Sequence, residues 1–221
     1  MKLLAKGAAF LLTGLTAVGL LLFLPAGTLH YPNGWLLLGI LFLPMLLMGA
    51  VLLIRDRSLL EKRLQMKEQQ SEQKGIVALS GLMFLAGFVL AGLDFRFGWF
   101  PLPKAVSVIA AVVFLAGYAM YAEVLRENAY LSRTVEVQEE QKVIDTGLYG
   151  IIRHPMYTAT LLMFLSMPLV LGSVFSLIVF LAYPVIIVAR LKNEEQVLAA
   201  GLKGYTDYQK KVKYRLLPFI W

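Results

Sequence analysis

The chain has 221 residues, a formal charge of +7 and no cysteine; 59% of it is hydrophobic and its mean hydropathy is +0.71. Soluble domains are roughly 45–50% apolar, so an ordinary soluble domain is excluded, and without cysteine so are disulfides, thiolate metal sites and a catalytic thiol. The positive charges lie in loops and at the C-terminus rather than in one block, which reads as the loop bias of a membrane protein and not as a nucleic-acid surface.

Lys2 and Lys6 precede an apolar run from Gly7 to Leu24. No small-residue cleavage site follows, so the run reads as a first membrane helix rather than a signal peptide. Pro25 to Asn33 is a short turn, in which His30 reads as an interface residue. A second span runs from Trp35 to Ile54, close to the ~20 residues a bilayer needs, with a kink expected at Pro44.

From Arg55 to Lys74 the character changes. Six basic side chains alternate with acidic ones, while Leu59, Leu60 and Leu64 recur at helical spacing. The pattern predicts an amphipathic helix on the membrane surface, with a solvated connector as the alternative. A third span covers Ile76 to Leu93. Asp94 to Lys104 is an aromatic and proline-rich interface loop. A fourth span covers Ala105 to Tyr121, its helix continuing to Asn128. Ser132 to Thr146 is polar and reads as a loop beneath the bundle, despite the strand-forming Val135, Val137 and Val143.

The fifth span, Met156 to Leu171, and the sixth, Val174 to Ala189, are joined by a tight turn at Gly172-Ser173 and carry Pro168 and Pro184, expected to interrupt them. They form a hairpin through the bilayer. With six spans and both termini cytoplasmic, inside loops hold two, six, four and seven positives, 19 of the chain's 21; only Arg96 and Lys104 lie outside. This arrangement brings His154 and Arg190 to one face, at the two open ends of the hairpin.

Two polar clusters flank that hairpin. Gly147-Leu148-Tyr149-Gly150-Ile151-Ile152-Arg153-His154-Pro155-Met156-Tyr157 precedes it and holds one of the chain's two histidines. Pro155 restricts His154 to extended backbone and suits the first turn of a helix. The imidazole then stands at a helix mouth, where unpaired N–H groups and the dipole favour an anion. Tyr149 and Tyr157 flank it, an arrangement suited to a ligand with a planar ring and a carboxylate; an ordinary membrane-boundary segment is the alternative. Two histidines this far apart do not suggest a metal site. Arg190-Leu191-Lys192-Asn193-Glu194-Glu195 follows the sixth span. On a helix Arg190 and Glu194 share a face as i,i+4 neighbours and Glu195 points away from it. Arginine grips a carboxylate with two parallel N–H bonds, and the nearby Glu194 is suited to orient the guanidinium or to take a proton; a helix leaving the membrane with a surface ion pair is the alternative. Gln196 to Trp221 reads as a surface helix and an extended aromatic end covering the pocket, with a basic tail bound to lipid headgroups as the alternative.

The region Val137 to Ile220 resembles the isoprenylcysteine carboxyl methyltransferase family, whose relatives include the phospholipid N-methyltransferases. The resemblance is carried by Val137-Gln138-Glu139-Glu140, by Thr146 to Tyr149 leading into Arg153-His154-Pro155-Met156-Tyr157, by Arg190 with Glu194-Glu195, and by Gly204-Tyr205, Tyr208 and Leu217-Pro218-Phe219. It implies an all-α polytopic membrane bundle of about six transmembrane helices, with a cytoplasmic cofactor pocket built from the C-terminal part. Residues 1–130 would be N-terminal membrane helices with the 55–74 connector, and 131–221 the methyltransferase core. The implied cofactor is S-adenosylmethionine, lined by Gln138, Val143, Ile144, Tyr149, His154, Pro155, Met156 and Tyr157. Arg190 and Glu194 would serve the methyl acceptor.

That acceptor is expected to be lipid-like, a prenylated cysteine carboxylate or a similar amphipathic carboxylate, with a phospholipid or other lipid amine as the alternative. Membrane lipids are the expected surroundings, and the plasma membrane the location if the source is prokaryotic. A small transporter is disfavoured because the spans are nearly free of charge. A non-catalytic scaffold leaves both polar clusters without a purpose.

Overall fold

The structure, a computed structural model, describes residues 2–64, 71–132, 135 and 137–221, with the side chains of residues 71 and 72 left aside. The elements in chain order are α1 (Lys2–Ala26), α2 (Pro32–Arg55), α3 (Arg57–Arg63), α4 (Ser71–Phe97), α5 (Lys104–Glu127), a 3-10 turn (Gly147–Gly150), α6 (Pro155–Leu171), α7 (Val174–Phe180), α8 (Ala182–Gly201) and α9 (Tyr205–Lys211). There is no strand among the described residues, and the valines of the 132–146 segment lie in loop.

Among the described residues, five helical stretches are long and apolar enough to cross a membrane: Lys2–Ala26, Pro32–Arg55, Gln73–Phe97, Lys104–Glu127 and Val174–Gly201. The sixth apolar helix, Pro155–Leu171, has 17 residues. At 1.5 Å per residue it is about 25 Å long, a little less than a bilayer's hydrocarbon core. The chain is an integral membrane protein with the all-helical, polytopic architecture expected from its apolar runs.

Packing is densest where the site-bearing hairpin meets the rest. α5 lies along α6, and α4 packs against α7 and α8. The α5–α6 approach depends on Gly117: a Cβ there would stand 2.7 Å from Met163 Cγ and 3.0 Å from the Ala159 carbonyl oxygen. Phe114, Met167, Val170 and Phe180 form the fully buried layer between these helices.

The hairpin turn follows local chemistry. Gly172 takes φ +79°, the left-handed value glycine adopts freely, and ends α6. Ser173 then caps α7, its Oγ accepting from the Ser176 N–H at 3.1 Å. α6 runs on through Pro168, which lies in its last turn, so no break occurs there. The sixth span is interrupted only at Leu181, which keeps helical dihedrals (φ −63°, ψ −13°); Pro184, three residues on, offers no N–H to the Phe180 carbonyl and its ring crowds that oxygen. α2 continues through Pro44 as one helix.

The 55–74 connector departs from the membrane-surface expectation. Asp56 caps α3, its carboxylate accepting from the Leu59 N–H at 2.9 Å. Leu59, Leu60 and Leu64 are all buried in the protein. Leu59 sits among Val124, Leu125, Leu131 and Tyr149, while Arg63 donates to the Ser132 carbonyl at 3.0 Å and to the Tyr121 hydroxyl. The end of α5 and the 3-10 turn supply an apolar floor at this depth, and Leu59 seats there instead of on lipid. Residues 65–70 of the connector lie outside the described residues.

Candidate active site

The Arg153-His154-Pro155 segment is extended, as Pro155 requires, with His154 at φ −127°, ψ 62° and Pro155 opening α6. The extended backbone leaves two N–H groups to pair, and the tail takes them. Arg153 N donates to the Tyr214 carbonyl at 2.9 Å and His154 N to the Arg215 carbonyl at 3.0 Å. Thr158 Oγ1 donates to the Leu216 carbonyl at 2.8 Å. The tail is therefore stitched along the segment, and α9 closes over the 3-10 turn through Tyr208, whose hydroxyl donates to the Tyr149 carbonyl at 2.8 Å. The Tyr149 hydroxyl accepts from Asn128 Nδ2 at 2.9 Å.

His154 stands at the mouth of α6, and the anion its ring meets is the protein's own Glu195 carboxylate. Its own carbonyl accepts from the N–H groups of Tyr157 and Thr158 at 3.0 and 3.2 Å. The buried imidazole turns to α8, where Nε2 lies 3.2 Å from Glu195 Oε1. The same carboxylate pairs with Arg153 Nε at 3.1 Å and, through Oε2, with Arg215 Nε at 2.9 Å. Glu195 is only 6% exposed. One buried carboxylate thus joins the hairpin's two open ends and the tail. Glu195 does point away from the Arg190 face, and α8 is covered on that side too, by the His154 segment and the tail.

The second convergence is on Tyr157. Arg190 Nε donates to the Tyr157 hydroxyl at 3.1 Å, and that hydroxyl donates to Glu194 Oε2. Arg190 Nη1 donates to Gln73 Oε1 at 3.1 Å, and Gln73 Nε2 donates to Asn193 Oδ1 at 2.7 Å. The Tyr157 ring stacks on His154, with centroids 5.7 Å apart and planes 28° off parallel. Arg190 and Glu194 therefore meet at one phenol, as their i,i+4 spacing allows.

Both convergences open on one cleft. Of the residues singled out from sequence, Val143, Ile144, Tyr149, His154, Met156, Tyr157, Arg190 and Glu194 line it. Gln138 and Pro155 do not. The Gln138 side chain donates to the Tyr130 carbonyl at 2.6 Å and its backbone N–H is bonded to Gln141 Oε1, so it shapes the loop. Pro155 is fully buried and acts through the backbone. The cleft gains Leu198, Leu202, Tyr205 and Tyr208 from α8 and α9. Tyr205 and Tyr208 were legible as part of the family pattern, Glu195 as a neighbour of Glu194, and Gln73 through no local signal.

The electrostatics favour a polar organic ligand. Burial pushes the Tyr149, Tyr205 and Tyr208 phenols well above their ordinary range, so they remain neutral hydrogen-bond donors. The Tyr205 hydroxyl is buried and has no hydrogen-bond partner among the described residues, although it lines the cleft. A buried orphan donor of this kind calls for an acceptor from a ligand. Aromatic faces, a histidine, an arginine and an orphan phenol beside apolar Leu198 and Leu202 suit a zwitterionic nucleoside.

Residues 105–203 match the phospholipid methyltransferase family model. Structural comparison decides the architecture: 97% of this chain superposes on 75% of the eukaryotic intramembrane Ras methyltransferase ICMT, the isoprenylcysteine carboxyl methyltransferase, with a TM-score of 0.59 and 20% identity. The fold is that of the isoprenylcysteine carboxyl methyltransferase. The resemblance seen in the C-terminal motifs is thus supported on sequence and on fold. Over 91 residues the chain is also 28% identical to the Delta(14)-sterol reductase TM7SF2 of Mus musculus, covering 40% of this chain. It spans about a fifth of that relative's length, 22%. Covering 97% of this chain, the superposition extends well before residue 105, where the family-matched segment begins.

Proposed function

We propose that this protein is an integral membrane methyltransferase that takes a methyl group from S-adenosylmethionine and delivers it to an amphipathic, lipid-like acceptor. The observation that carries this reading is the meeting of Arg190 and Glu194 at the Tyr157 hydroxyl, on the wall of the cleft that also presents His154 and the orphan Tyr205 hydroxyl. The family match and the ICMT fold support the reaction class. The relatives' names speak of a phospholipid, an isoprenylcysteine and a sterol, which have amphipathic lipid character in common.

His154, Tyr149, Tyr157, Tyr205, Met156 and the Val143-Ile144 wall would hold the cofactor. When bound, the cofactor supplies an electrophilic methyl on a sulfonium. The protein's task is then alignment, because a displacement needs the acceptor held in line more than it needs a strong base. Arg190 orients the acceptor, and its planar fork suits a carboxylate, which is already ionised near pH 7 and surrenders no proton. The foremost acceptor is therefore the carboxylate of a prenylated cysteine or a similar lipid. Glu194, joined to Arg190 through the Tyr157 hydroxyl, holds the guanidinium's surroundings in register.

Glu194 also motivates a second reading. A lipid amine must lose a proton before or during methylation, and Glu194, on the cleft wall, would be the group to accept it. The family model, phospholipid methyltransferase, favours the same alternative. In either case the cleft and both termini would face the cytoplasm, with the acceptor arriving sideways from the bilayer. Titrating S-adenosylmethionine into the purified protein by calorimetry tests the reading. Saturable binding that weakens in a Tyr205→Phe variant is the expected result, and absence of binding would sink it.

A further inference from the structure

The segment that matches the family model begins at residue 105, yet one residue in direct contact with Arg190 comes from α4. Gln73 stands in the first turn of that helix and has no exposed surface. A primary amide buried there without partners would be costly. Its oxygen accepts from Arg190 Nη1 at 3.1 Å and its nitrogen donates to Asn193 Oδ1 at 2.7 Å, so it bridges two residues of α8. From α6, the Tyr157 hydroxyl accepts from Arg190 Nε at 3.1 Å. Two neutral oxygens on two helices hold two nitrogens of one planar group, and that is enough to set the plane of the guanidinium.

We propose that Gln73 is a positioning residue that fixes the plane of Arg190, so that α4 completes the acceptor end of the cleft. The inference rests on the reading of Arg190 as the group that holds the acceptor. The amide matters for its charge as well as its reach. A neutral oxygen takes one N–H without adding a negative charge, whereas a carboxylate in its place would add one beside the guanidinium and compete with an anionic acceptor.

The test uses the full chain in lipid nanodiscs, with 15N-arginine incorporated and the Arg190 side-chain signals identified by their loss in Arg190→Lys. In the wild type, restricted rotation about Cζ–Nη should keep the Arg190 Nη signals distinct; in Gln73→Met they should merge. Turnover is followed in parallel with S-adenosylmethionine and an N-acetyl-S-farnesyl-cysteine probe. Gln73→Met should lower kcat about tenfold or more while cofactor affinity stays within about twofold, because only acceptor alignment is lost. Gln73→Glu should keep the plane and much of kcat but raise KM for the carboxylate probe about fivefold or more. A merely structural role would move the melting temperature and cofactor affinity together with kcat. If Gln73→Met does not fold, Asn193→Ala removes the anchor of the amide and should shift the Arg190 signals in the same direction. Unchanged Arg190 signals and wild-type turnover in folded Gln73→Met, or unchanged signals in Asn193→Ala, overturn the proposal. Should the wild type transfer no methyl group to any acceptor while the Arg190 signals still respond to Gln73→Met, the methyltransferase reading fails and the bracing of Arg190 stands.

Discussion

Glu195 Oε1 lies 3.2 Å from His154 Nε2, across 41 residues of sequence. The two polar clusters at the ends of the hairpin are thereby one cluster. Because the same carboxylate also pairs with Arg153 and Arg215, it ties the cleft's histidine to the tail that covers it.

The first prediction follows from that pairing. Removing one partner from a buried charge cluster leaves the others uncompensated, at a cost of about 3–5 kcal/mol when all are deeply buried. Arg215 is a third exposed, which reduces its share. Glu195→Gln keeps the shape and one acceptor but loses the charge. Its melting temperature in detergent should drop, and limited proteolysis should cut the tail after Val212 sooner than in the wild type. A variant that melts and resists protease like the wild type would show that the cluster contributes nothing.

His154→Ala should weaken S-adenosylmethionine binding by about 1–3 kcal/mol, the range for losing a buried hydrogen bond. His154→Gln should recover part of it by restoring a donor toward Glu195. Calorimetry on folded variants checks both, and equal affinity in wild type and His154→Ala would remove His154 from the cofactor wall.

Arg190→Ala should cut turnover by orders of magnitude and leave cofactor affinity near wild type, since the lost contact aligns the acceptor. Arg190→Lys should not rescue it for a carboxylate acceptor, because an ammonium cannot reproduce the planar fork. Wild-type turnover in Arg190→Ala with the true acceptor in hand would overturn the assignment.

Glu194→Gln separates the two acceptor classes. With a carboxylate acceptor the amide still accepts from Tyr157 and part of the activity should persist. With an amine acceptor the base is gone, so turnover should collapse and the acid limb of the pH–rate profile should vanish from the residual rate. Full activity with an unaltered profile on an amine would exclude Glu194 as the base.

Much of the fold was legible from apolar runs and their punctuation. Gly172-Ser173 marked the hairpin turn and Pro155 the start of α6, because each imposes a local backbone state that tertiary contacts rarely override. The meeting of the two polar clusters was legible where motif and facing coincide, with Arg190 and Glu194 on one face of α8 beside the His154–Tyr157 segment. Facing put Glu195 away from Arg190, as it is, but could not say what it meets there. Successive helix residues point about 100° apart, and spacing cannot say that α8 is covered on two adjacent sides. The leucines of α3 misled for the same reason, since an apolar stripe reads identically whether it meets lipid or the floor of the bundle. Gln138 belonged to the quoted family pattern, but its side chain folds back on the Tyr130 carbonyl. Gln73 had no pattern at all: its role exists only because α4 and α8 pack together.

Topology is tested by reporters fused after Trp221 and within the Arg55–Lys74 connector. Both should report a cytoplasmic location, given that 19 of the 21 positive residues fall on the side assigned inside. An extracytoplasmic signal from either would invert the arrangement and move the cleft to the other face.

The central claim, that the cleft transfers a methyl group to a lipid-like acceptor, is tested most directly by supplying the purified protein in nanodiscs with methyl-deuterated S-adenosylmethionine. Two acceptors are offered in turn, N-acetyl-S-farnesyl-cysteine and phosphatidylethanolamine, and products are read by mass spectrometry. A labelled methyl ester or N-methyl lipid should appear with the wild type and be lost in Arg190→Ala. If the cofactor stays intact with both acceptors and with a total lipid extract, or if the labelled product forms equally well in Arg190→Ala, the account is contradicted.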